Sequence, residues 1–231
     1  MPHSSLSGAV ASQLWRRNRT RLRKRLGLPR AGAWMRPYEE DLILDILTIL
    51  QPKRCLEWGG GYSTLNFPDL LPSDATWTCV EHDKDWAANL AGQLRRPGVT
   101  VRFVPPDVPK FTGDGDATSF ASYLAAAKEG APYDFILVDG RARAACIEVA
   151  KSLLSPEGVL VLHDANRSAY LGATQGFKQQ ALFQDRRAFR GNRVAGGVWL
   201  GSHGCELEQK LPLDLHRRVW AFYRGIGRLL A

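Results

Sequence analysis

The sequence contains no apolar run of about 18 residues or more, and its first residues include no uninterrupted apolar stretch. A membrane-spanning helix and a secretory signal peptide are therefore not expected. Its four cysteines are dispersed and form no Cys-x-x-Cys pair, which is typical of reduced thiols in a cytoplasmic protein. The cytoplasm is the predicted location.

Gly-Lys-Ser and Gly-Lys-Thr, which would mark a loop for a nucleoside triphosphate, are also missing. A different glycine-rich sequence, Glu-Trp-Gly-Gly-Gly-Tyr-Ser-Thr, occupies residues 57–64 and follows a short apolar segment. Because glycine has no Cβ, the backbone can turn sharply there and approach a ligand closely. The carboxylate of Glu57 can accept hydrogen bonds from a cationic or hydroxyl-bearing ligand. The loop is therefore expected to suit a nucleoside ligand.

Acidic residues are absent from residues 1–30, which hold eight lysines and arginines. The whole chain has 31 basic and 23 acidic side chains, so this segment accounts for the entire net charge of +8. The high isoelectric point therefore belongs to an N-terminal arm and says little about the ligand of the remaining chain.

Strand and helix patterns alternate along most of the chain, and they predict a three-layer α/β fold with a mostly parallel sheet. The predicted strands are 55–58, 76–81, 99–104, 133–139 and 159–163. A hairpin is predicted from strands 181–190 and 193–200 around Gly191-Asn192, followed by a loop at 201–204. Predicted helices cover residues 5–26, 38–50, 63–71, 83–95, 116–129, 142–154 and 213–230.

Polar side chains follow four of these strands, and ligands of open parallel sheets bind at the carboxyl ends of the strands. Glu57, Glu81, Asp139, and the pair His163 and Asp164 are therefore expected to line one crevice. Glu81 lies about 20 residues after the glycine loop, a spacing typical of an acid that binds ribose hydroxyls. His82 either packs on a nucleobase or points outward.

His163 and the neighbouring acids admit more than one interpretation. An imidazole titrates near neutrality, so His163 is a candidate base for a hydroxyl proton, or else a hydrogen-bonded structural residue. Asp139, Asp164 and Asn166 could bind Mg²⁺, although such a set is also common at strand ends. Arg141 and Arg143 pair with Asp139, bind an anionic substrate or lie in solvent.

Four stretches together resemble a known family: Leu-Glu-Trp-Gly-Gly-Gly-Tyr-Ser-Thr, Val-Glu-His-Asp, Phe-Ile-Leu-Val-Asp-Gly-Arg-Ala-Arg and Val-Leu-Val-Leu-His-Asp. Their order and spacing are similar to those of class I S-adenosylmethionine-dependent methyltransferases, in a bacterial branch of the family. The resemblance covers about residues 38–200 and implies a Rossmann-like sheet of seven strands whose last strand is antiparallel. The cofactor contacts that it implies are Glu57, Gly59, Gly60, Gly61, Ser63, Glu81, His82, Asp107 and Asp139.

The same resemblance implies transfer of a methyl group from S-adenosyl-L-methionine to a hydroxyl of a small molecule, a sugar or a lipid-linked head group. His163, Asp139 and Asp164 are the expected catalytic residues. Catechol-type members hold Mg²⁺ through an acid after the fourth strand and an Asp-Asn pair after the fifth. Here Asn166 comes one place late, after Asp164-Ala165, so a metal set of Asp139, Asp164 and Asn166 remains one option.

Two other classes of function stay open. One is a binding protein that keeps the methyltransferase fold without catalysis and attaches to a membrane or a partner. The other is an RNA or protein methyltransferase, although the Asn-Pro-Pro-Tyr type of signature for amino-group methylation is absent after the fourth strand.

The ends of the chain are predicted to form basic amphipathic helices, and Val10, Leu14, Asn18, Leu22 and Leu26 recur every four residues along one face of the first. Residues 10–26 either lie on an anionic membrane surface at the inner face of the membrane, or dock as a lid or as the arm of a homodimer. Nucleic-acid binding is less favoured, because aromatic side chains placed for base stacking are lacking. The predicted divisions are an arm at 1–36, the methyltransferase domain at 37–204 and a C-terminal helix at 205–231.

Overall fold

A computed structural model describes residues 5–27, 32–184 and 196–229. Their core is a single sheet of seven strands. The strands, numbered in chain order, are β1 (Arg54–Trp58), β2 (Thr76–Glu81), β3 (Val99–Phe103), β4 (Tyr133–Val138), β5 (Leu154–His163), β6 (Gln179–Phe183) and β7 (Val198–Ser202).

Eight α-helices accompany the strands within the described residues. They are α1 (Leu6–Arg25), α2 (Pro37–Leu50), α3 (Tyr62–Asn66), α4 (Lys84–Ala91), α5 (Ala121–Ala125), α6 (Arg143–Leu153), α7 (Leu207–Lys210) and α8 (Leu213–Leu229). None of the described helices is both long enough and apolar enough to cross a membrane. All four cysteines are buried and free.

The sheet has the strand order β3-β2-β1-β4-β5-β7-β6. The first five strands pair in parallel, whereas β7 is antiparallel to both β5 and β6. The expectation of a mostly parallel sheet with an antiparallel C-terminal strand is therefore confirmed. Strand order reverses between β1 and β4, which is where open parallel sheets place their ligand crevice.

Apolar side chains cover both faces of the sheet. One buried cluster joins α2 and α8 to the sheet and includes Leu42, Trp77 and Trp220. The other lies on the opposite face under α5 and α6 and includes Trp58 and Ile147. Alternation of side chains along each strand sends neighbouring residues into different clusters, and this fixes the register of the strands that carry the polar ends.

The N-terminal helix α1 packs on α2 through a face of small and polar residues. Ala9 and Val10 are buried, and Gln13 Nε2 donates to Asp41 Oδ2 at 2.5 Å. Arg16 forms ion pairs with Glu40 and Asp41. The leucines predicted to share one face with Val10 behave differently, because Leu14, Leu22 and Leu26 are exposed together with Trp15.

The C-terminal helix α8 buries one side against α2 and the sheet. Trp220 packs edge-on against Tyr38 at 4.8 Å between ring centroids, and His216 Nε2 lies 3.0 Å from Asp45 Oδ2. Both terminal helices therefore pack on the central unit. The predicted boundaries at residues 36 and 204 remain predictions.

Several predicted boundaries differ from the structure. The helix predicted at 116–129 is shorter, since α5 begins at Ala121 and continues as a 3₁₀ turn, Ala126–Gly130. Strand β5 begins at Leu154 instead of residue 159, and β7 continues through Gly201 and Ser202, which were expected in a loop. The turn predicted at Gly191-Asn192 lies outside the described residues.

Candidate functional site

A cavity of about 630 Å³ opens at the carboxyl ends of the parallel strands. This volume falls in the range of small-molecule sites in proteins. Its walls combine the glycine loop with the polar ends of three further strands: Trp34, Gly59, Gly60, Gly61, Tyr62, Ser63, Glu81, His82, Asp83, Trp86, Asp139, Gly140, Arg141, Arg143, His163 and Asp164. The structure therefore brings most of the expected site residues to one crevice.

The glycine loop turns tightly between β1 and α3. Gly59 has φ of +92°, a conformation that residues with a Cβ rarely adopt. A Cβ at this position would also collide with the backbone of Gly140. Its amide donates to the carbonyl of Val80 at 2.9 Å, and Trp86 Nε1 donates to the carbonyl of Gly60 at 2.7 Å. The loop is thus held from β2, from α4 and from the turn after β4.

Glu57 lies behind this loop and is fully buried. Its carboxylate accepts hydrogen bonds from the Ser63 hydroxyl, from Thr64 Oγ1 at 2.6 Å and from Trp77 Nε1 at 2.9 Å. Burial raises the pKa of Glu57 to about 7, even though these three donors oppose the shift. Glu57 does not line the cavity, and its hydrogen bonds with Ser63 and Thr64 order the end of the glycine loop. Its expected direct contact with a cofactor remains a prediction.

Glu81, at the end of β2, does line the cavity. Its Oε2 accepts from the amide of Gly60 at 2.8 Å, and its Oε1 accepts from the amides of His82 and Asp83 at 2.8 Å. The carboxylate is therefore fixed by three backbone donors. The His82 ring packs edge-on against Phe120 at 5.9 Å and borders the same cavity.

His163, at the end of β5, lies between two carboxylates. Its Nδ1 is 2.9 Å from Asp139 Oδ1, and its Nε2 is 3.3 Å from Glu39 Oε2. Carboxylates only accept hydrogen bonds, so a ring that donates from both nitrogens is an imidazolium. Burial opposes this charge, but the charge of Asp139 and hydrogen bonds to Asp139 and Glu39 raise the pKa of His163 to about 10.

Arg143, the first residue of α6, joins Asp139 to Asp164. Its Nη2 is 3.2 Å from Asp139 Oδ1, and its Nη1 is 3.2 Å from Asp164 Oδ2. Burial opposes ionisation of Asp139, but the charges of His163 and Arg143 hold the pKa of that carboxyl below its usual value. The Asp139 side chain is 22% exposed and is the most accessible carboxylate of this cluster.

No protein-family model matches this sequence, and no curated protein sequence matches it either. Its structure is similar to that of the O-methyltransferase TomG from Streptomyces achromogenes, involved in tomaymycin synthesis and solved in complex with SAM. The two are 20% identical with a TM-score of 0.53, over 88% of this chain and 91% of TomG. The protein shares the fold of this methyltransferase.

Two further solved structures are similar to the same extent. A putative O-methyltransferase from Klebsiella pneumoniae is 20% identical with a TM-score of 0.53, over 82% of this chain and 90% of its own. A methyltransferase-like protein from Silicibacter pomeroyi is 23% identical with a TM-score of 0.51, over 81% and 95%. The methyltransferase fold expected from the sequence is therefore confirmed.

Besides Glu57, two further expected site residues, Asp107 and Asn166, do not line the cavity. Asp107 is exposed in the loop after β3 and accepts hydrogen bonds from Ser122, at 2.9 Å from the amide and 2.5 Å from the hydroxyl. Asn166 lies beside Gly197 and is not among the lining residues, and its backbone amide donates to the carbonyl of Gly196 at 3.0 Å. The cofactor contact at Asp107 and the metal contact at Asn166 remain predictions.

The expected Mg²⁺ ligands do not fit a divalent cation in this arrangement. Asp164 Oδ1 accepts from the amide of Gly196 at 2.5 Å, and its Oδ2 is paired with Arg143 and Arg167. Asp139 Oδ1 is paired with His163 and Arg143. Within residues 5–27, 32–184 and 196–229, no cluster of three or more His, Cys, Asp or Glu side chains is placed to hold a metal.

Sequence reasoning missed three residues of the site. Glu39 lies in the first turn of α2, and 124 residues separate it from His163. Trp34 and Trp86 belong to no recognised motif, although Trp34 borders the cavity and is 78% exposed. The exposure of Trp34 is visible only in the structure, and nothing local in the sequence distinguishes Glu39.

Proposed function

We propose that this protein transfers a methyl group from S-adenosyl-L-methionine to a hydroxyl of a small molecule. The observation that carries the proposal is that the glycine loop and Glu81 line one cavity at the switch point of this fold. Among the similar structures, TomG has the same fold and was solved with SAM. Bound cofactor would supply an electrophilic sulfonium methyl group.

The glycine loop and Glu81 would hold the cofactor. Without side chains, Gly59, Gly60 and Gly61 allow a ligand to approach the backbone closely. Glu81 Oε2 accepts one hydrogen bond in the structure, and a carboxylate oxygen has room for a second. Its acceptor capacity suits the paired hydroxyls of a ribose, as it does in dinucleotide sites.

Asp139 is the residue that would contact the acceptor. Its carboxylate is accessible from the cavity, while His163 and Arg143 fix its orientation. An acceptor hydroxyl that donates to Asp139 would be held in one direction, and this alignment lowers the barrier for an in-line displacement. The role of base expected for His163 requires a free ring nitrogen, so in our proposal His163 positions Asp139.

The pairing of Asp139 with two cations also limits the acceptor. A carboxylate neutralised by His163 and Arg143 attracts a proton weakly, so a hydroxyl that ionises readily is favoured over an aliphatic alcohol. Phenolic and enolic acceptors satisfy this condition. Sugar hydroxyls ionise less readily and are therefore less favoured as acceptors.

The assay that tests this proposal is methyl transfer from methyl-labelled cofactor to a panel of phenols, enols and sugars. Phenols or enols are expected to be labelled, and Asp139→Asn should reduce kcat because an amide cannot accept the proton. RNA and protein are added to the same panel, and label found only in them would favour the rival class, an RNA or protein methyltransferase. Cofactor binding without transfer to any acceptor would favour a non-catalytic binding protein.

A membrane-borne acceptor is the second candidate, and the outer face of α1 favours it. Leu14, Trp15 and Leu22 are exposed on this basic helix, as is Leu26 directly after it, and Trp15 is 60% exposed. Arg19 lies over the Trp15 ring at 5.4 Å, which places a cation beside the apolar surface. Apolar side chains flanked by cations are typical of helices that bind anionic bilayers.

Flotation with vesicles of anionic and neutral lipid tests this second candidate. Binding to anionic vesicles should be lost in Trp15→Ser combined with Leu22→Ser, which leaves the buried face of α1 intact. Equal recovery of variant and wild type with the vesicles, or no recovery of either, would contradict it. Dimer formation through α1 would appear instead as a change in molecular mass.

A further inference from the structure

The guanidinium of Arg143 is enclosed by backbone at the ends of two strands, β4 and β5. Its Nε donates to the carbonyl of Gly140 at 3.0 Å, its Nη1 to that of His163 at 2.7 Å and its Nη2 to that of Asp139 at 3.0 Å. The side chain is 9% exposed. Its charge is therefore fixed in place by backbone acceptors from the ends of both β4 and β5.

The two terminal nitrogens of this guanidinium also reach one carboxylate each. Asp139 and Asp164 are both 3.2 Å from Arg143, on opposite sides of its fork. The planar fork of arginine is suited to this bridging geometry, since each of its nitrogens can donate in a set direction. The two acids that the sequence offered as metal ligands are thus joined by a side chain of the protein.

We propose that Arg143 takes the place of a divalent cation between Asp139 and Asp164, so that the site works without a metal. This inference rests on the proposed function, because it assigns Arg143 as the residue that positions Asp139 for the acceptor. A divalent cation at the same carboxylates would lie beside a guanidinium charge in a buried setting, where repulsion between like charges is strong.

The backbone next to this bridge supports the proposal. Ala142 and Asp164 have φ of +50° and +62°, a left-handed conformation that residues other than glycine adopt at a cost. Ala142 directly precedes Arg143, and Asp164 is one of the two bridged acids. Both unfavourable conformations occur where the chain places the guanidinium and its partner, which indicates that the surrounding structure enforces the bridge.

Mn²⁺ is the probe that tests the proposal, because the electron paramagnetic resonance signal of free Mn²⁺ falls when the ion binds. Wild type should leave the signal of free Mn²⁺ unchanged. Arg143→Gln removes the guanidinium charge from between the two carboxylates, and it should bind Mn²⁺ at least about tenfold more tightly than wild type. Arg143→Lys keeps a positive charge and should resemble wild type.

Double variants with a matched control show whether Mn²⁺ binds at Asp164. Adding Asp164→Asn to Arg143→Gln should abolish the gained affinity, whereas adding Glu148→Gln, an exposed acid on α6, should not. Loss of structure alone would not create a cation site that depends on Asp164. If Arg143→Gln does not fold, the wild-type and Arg143→Lys measurements decide the question.

Mn²⁺ binding by wild type that disappears in Asp164→Asn would overturn the proposal. A folded Arg143→Gln protein that gains no affinity for Mn²⁺ would also overturn it. Titration of the same wild-type sample with S-adenosylhomocysteine separates the two proposals. A protein that binds this ligand and also binds Mn²⁺ at Asp164 would refute the role of Arg143 and leave the proposed function standing.

Discussion

Replacing Glu57 by glutamine removes a buried carboxyl group whose ionisation is opposed by the fold. The pKa of Glu57 is raised from 4.5 to about 7 by burial, which outweighs the hydrogen bonds from Ser63, Thr64 and Trp77. One pKa unit corresponds to about 1.4 kcal/mol, so the shift corresponds to about 3 kcal/mol of folding free energy. Glutamine has the same shape, and its amide can still pair with the two hydroxyls and the indole.

The direction of the pH dependence of stability follows from which state, folded or unfolded, keeps the proton on Glu57. Between pH 4.5 and about 7 the folded protein keeps a proton on Glu57 that the unfolded chain has released. The stabilisation that comes from this bound proton is therefore complete below pH 4.5 and is lost as the pH rises through about 7. Wild type should lose stability over this range relative to Glu57→Gln.

Urea unfolding followed by tryptophan fluorescence measures the difference directly. Between about pH 4.5 and 8, the free energy of unfolding of Glu57→Gln minus that of wild type should rise by about 3 kcal/mol. Glu148→Gln, which removes an exposed carboxyl, should show a flat difference. A flat difference for Glu57→Gln as well would refute the claim that this carboxyl is neutral in the folded state at pH 5.

Two further predictions concern the same crevice. His163→Ala removes the cation between Glu39 and Asp139 and should lower the free energy of unfolding by about 3 to 5 kcal/mol in urea. The loss should be largest below pH 6.5 and should shrink toward pH 10, and a pH-independent loss would count against the imidazolium. Gly59→Ala should lower the melting temperature, because φ is +92° and Gly140 leaves no room for a Cβ, whereas Gly172→Ala should change it little. Equal melting temperatures for both variants would show that the loop relaxes.

The strands and the ends that carry the crevice could be predicted because their signals are local. Segments rich in apolar and β-branched residues lead into Glu81, Asp139 and His163, and they indicate both the strand and the polar residue at its end. The glycine loop is equally local, since Gly59 must adopt a positive φ. In parallel strands these ends meet at one edge of the sheet, so proximity follows from topology alone.

Partners of the site residues could not be predicted in the same way. Whether His163 is a free base or a clamped cation depends on Glu39, which arrives from α2 and is also held by the amide of Gly197 at 2.9 Å. Whether Asp139 and Asp164 bind a metal depends on how far the Arg143 side chain reaches. Both outcomes are decided by tertiary packing, which no spacing in the sequence encodes.

The outward face of α1 illustrates a different limit. Periodicity grouped Val10 with Leu14, Leu22 and Leu26, yet the helix docks through Ala9, Val10 and Gln13. A polar anchor, Asp41, sets the rotation of the helix on α2 and leaves the leucines outside. Periodicity identifies an apolar face but does not say which face packs on the protein.

Calorimetric titration of the full chain with S-adenosylhomocysteine tests the central claim, that the cavity lined by the glycine loop and Glu81 binds the methyl-donor cofactor. Wild type should bind one equivalent, Glu81→Ala should bind at least about tenfold more weakly, and Asp85→Ala, which removes an exposed acid from α4, should bind as wild type does. Absence of binding by folded wild type, or binding unaffected by Glu81→Ala, would contradict the account.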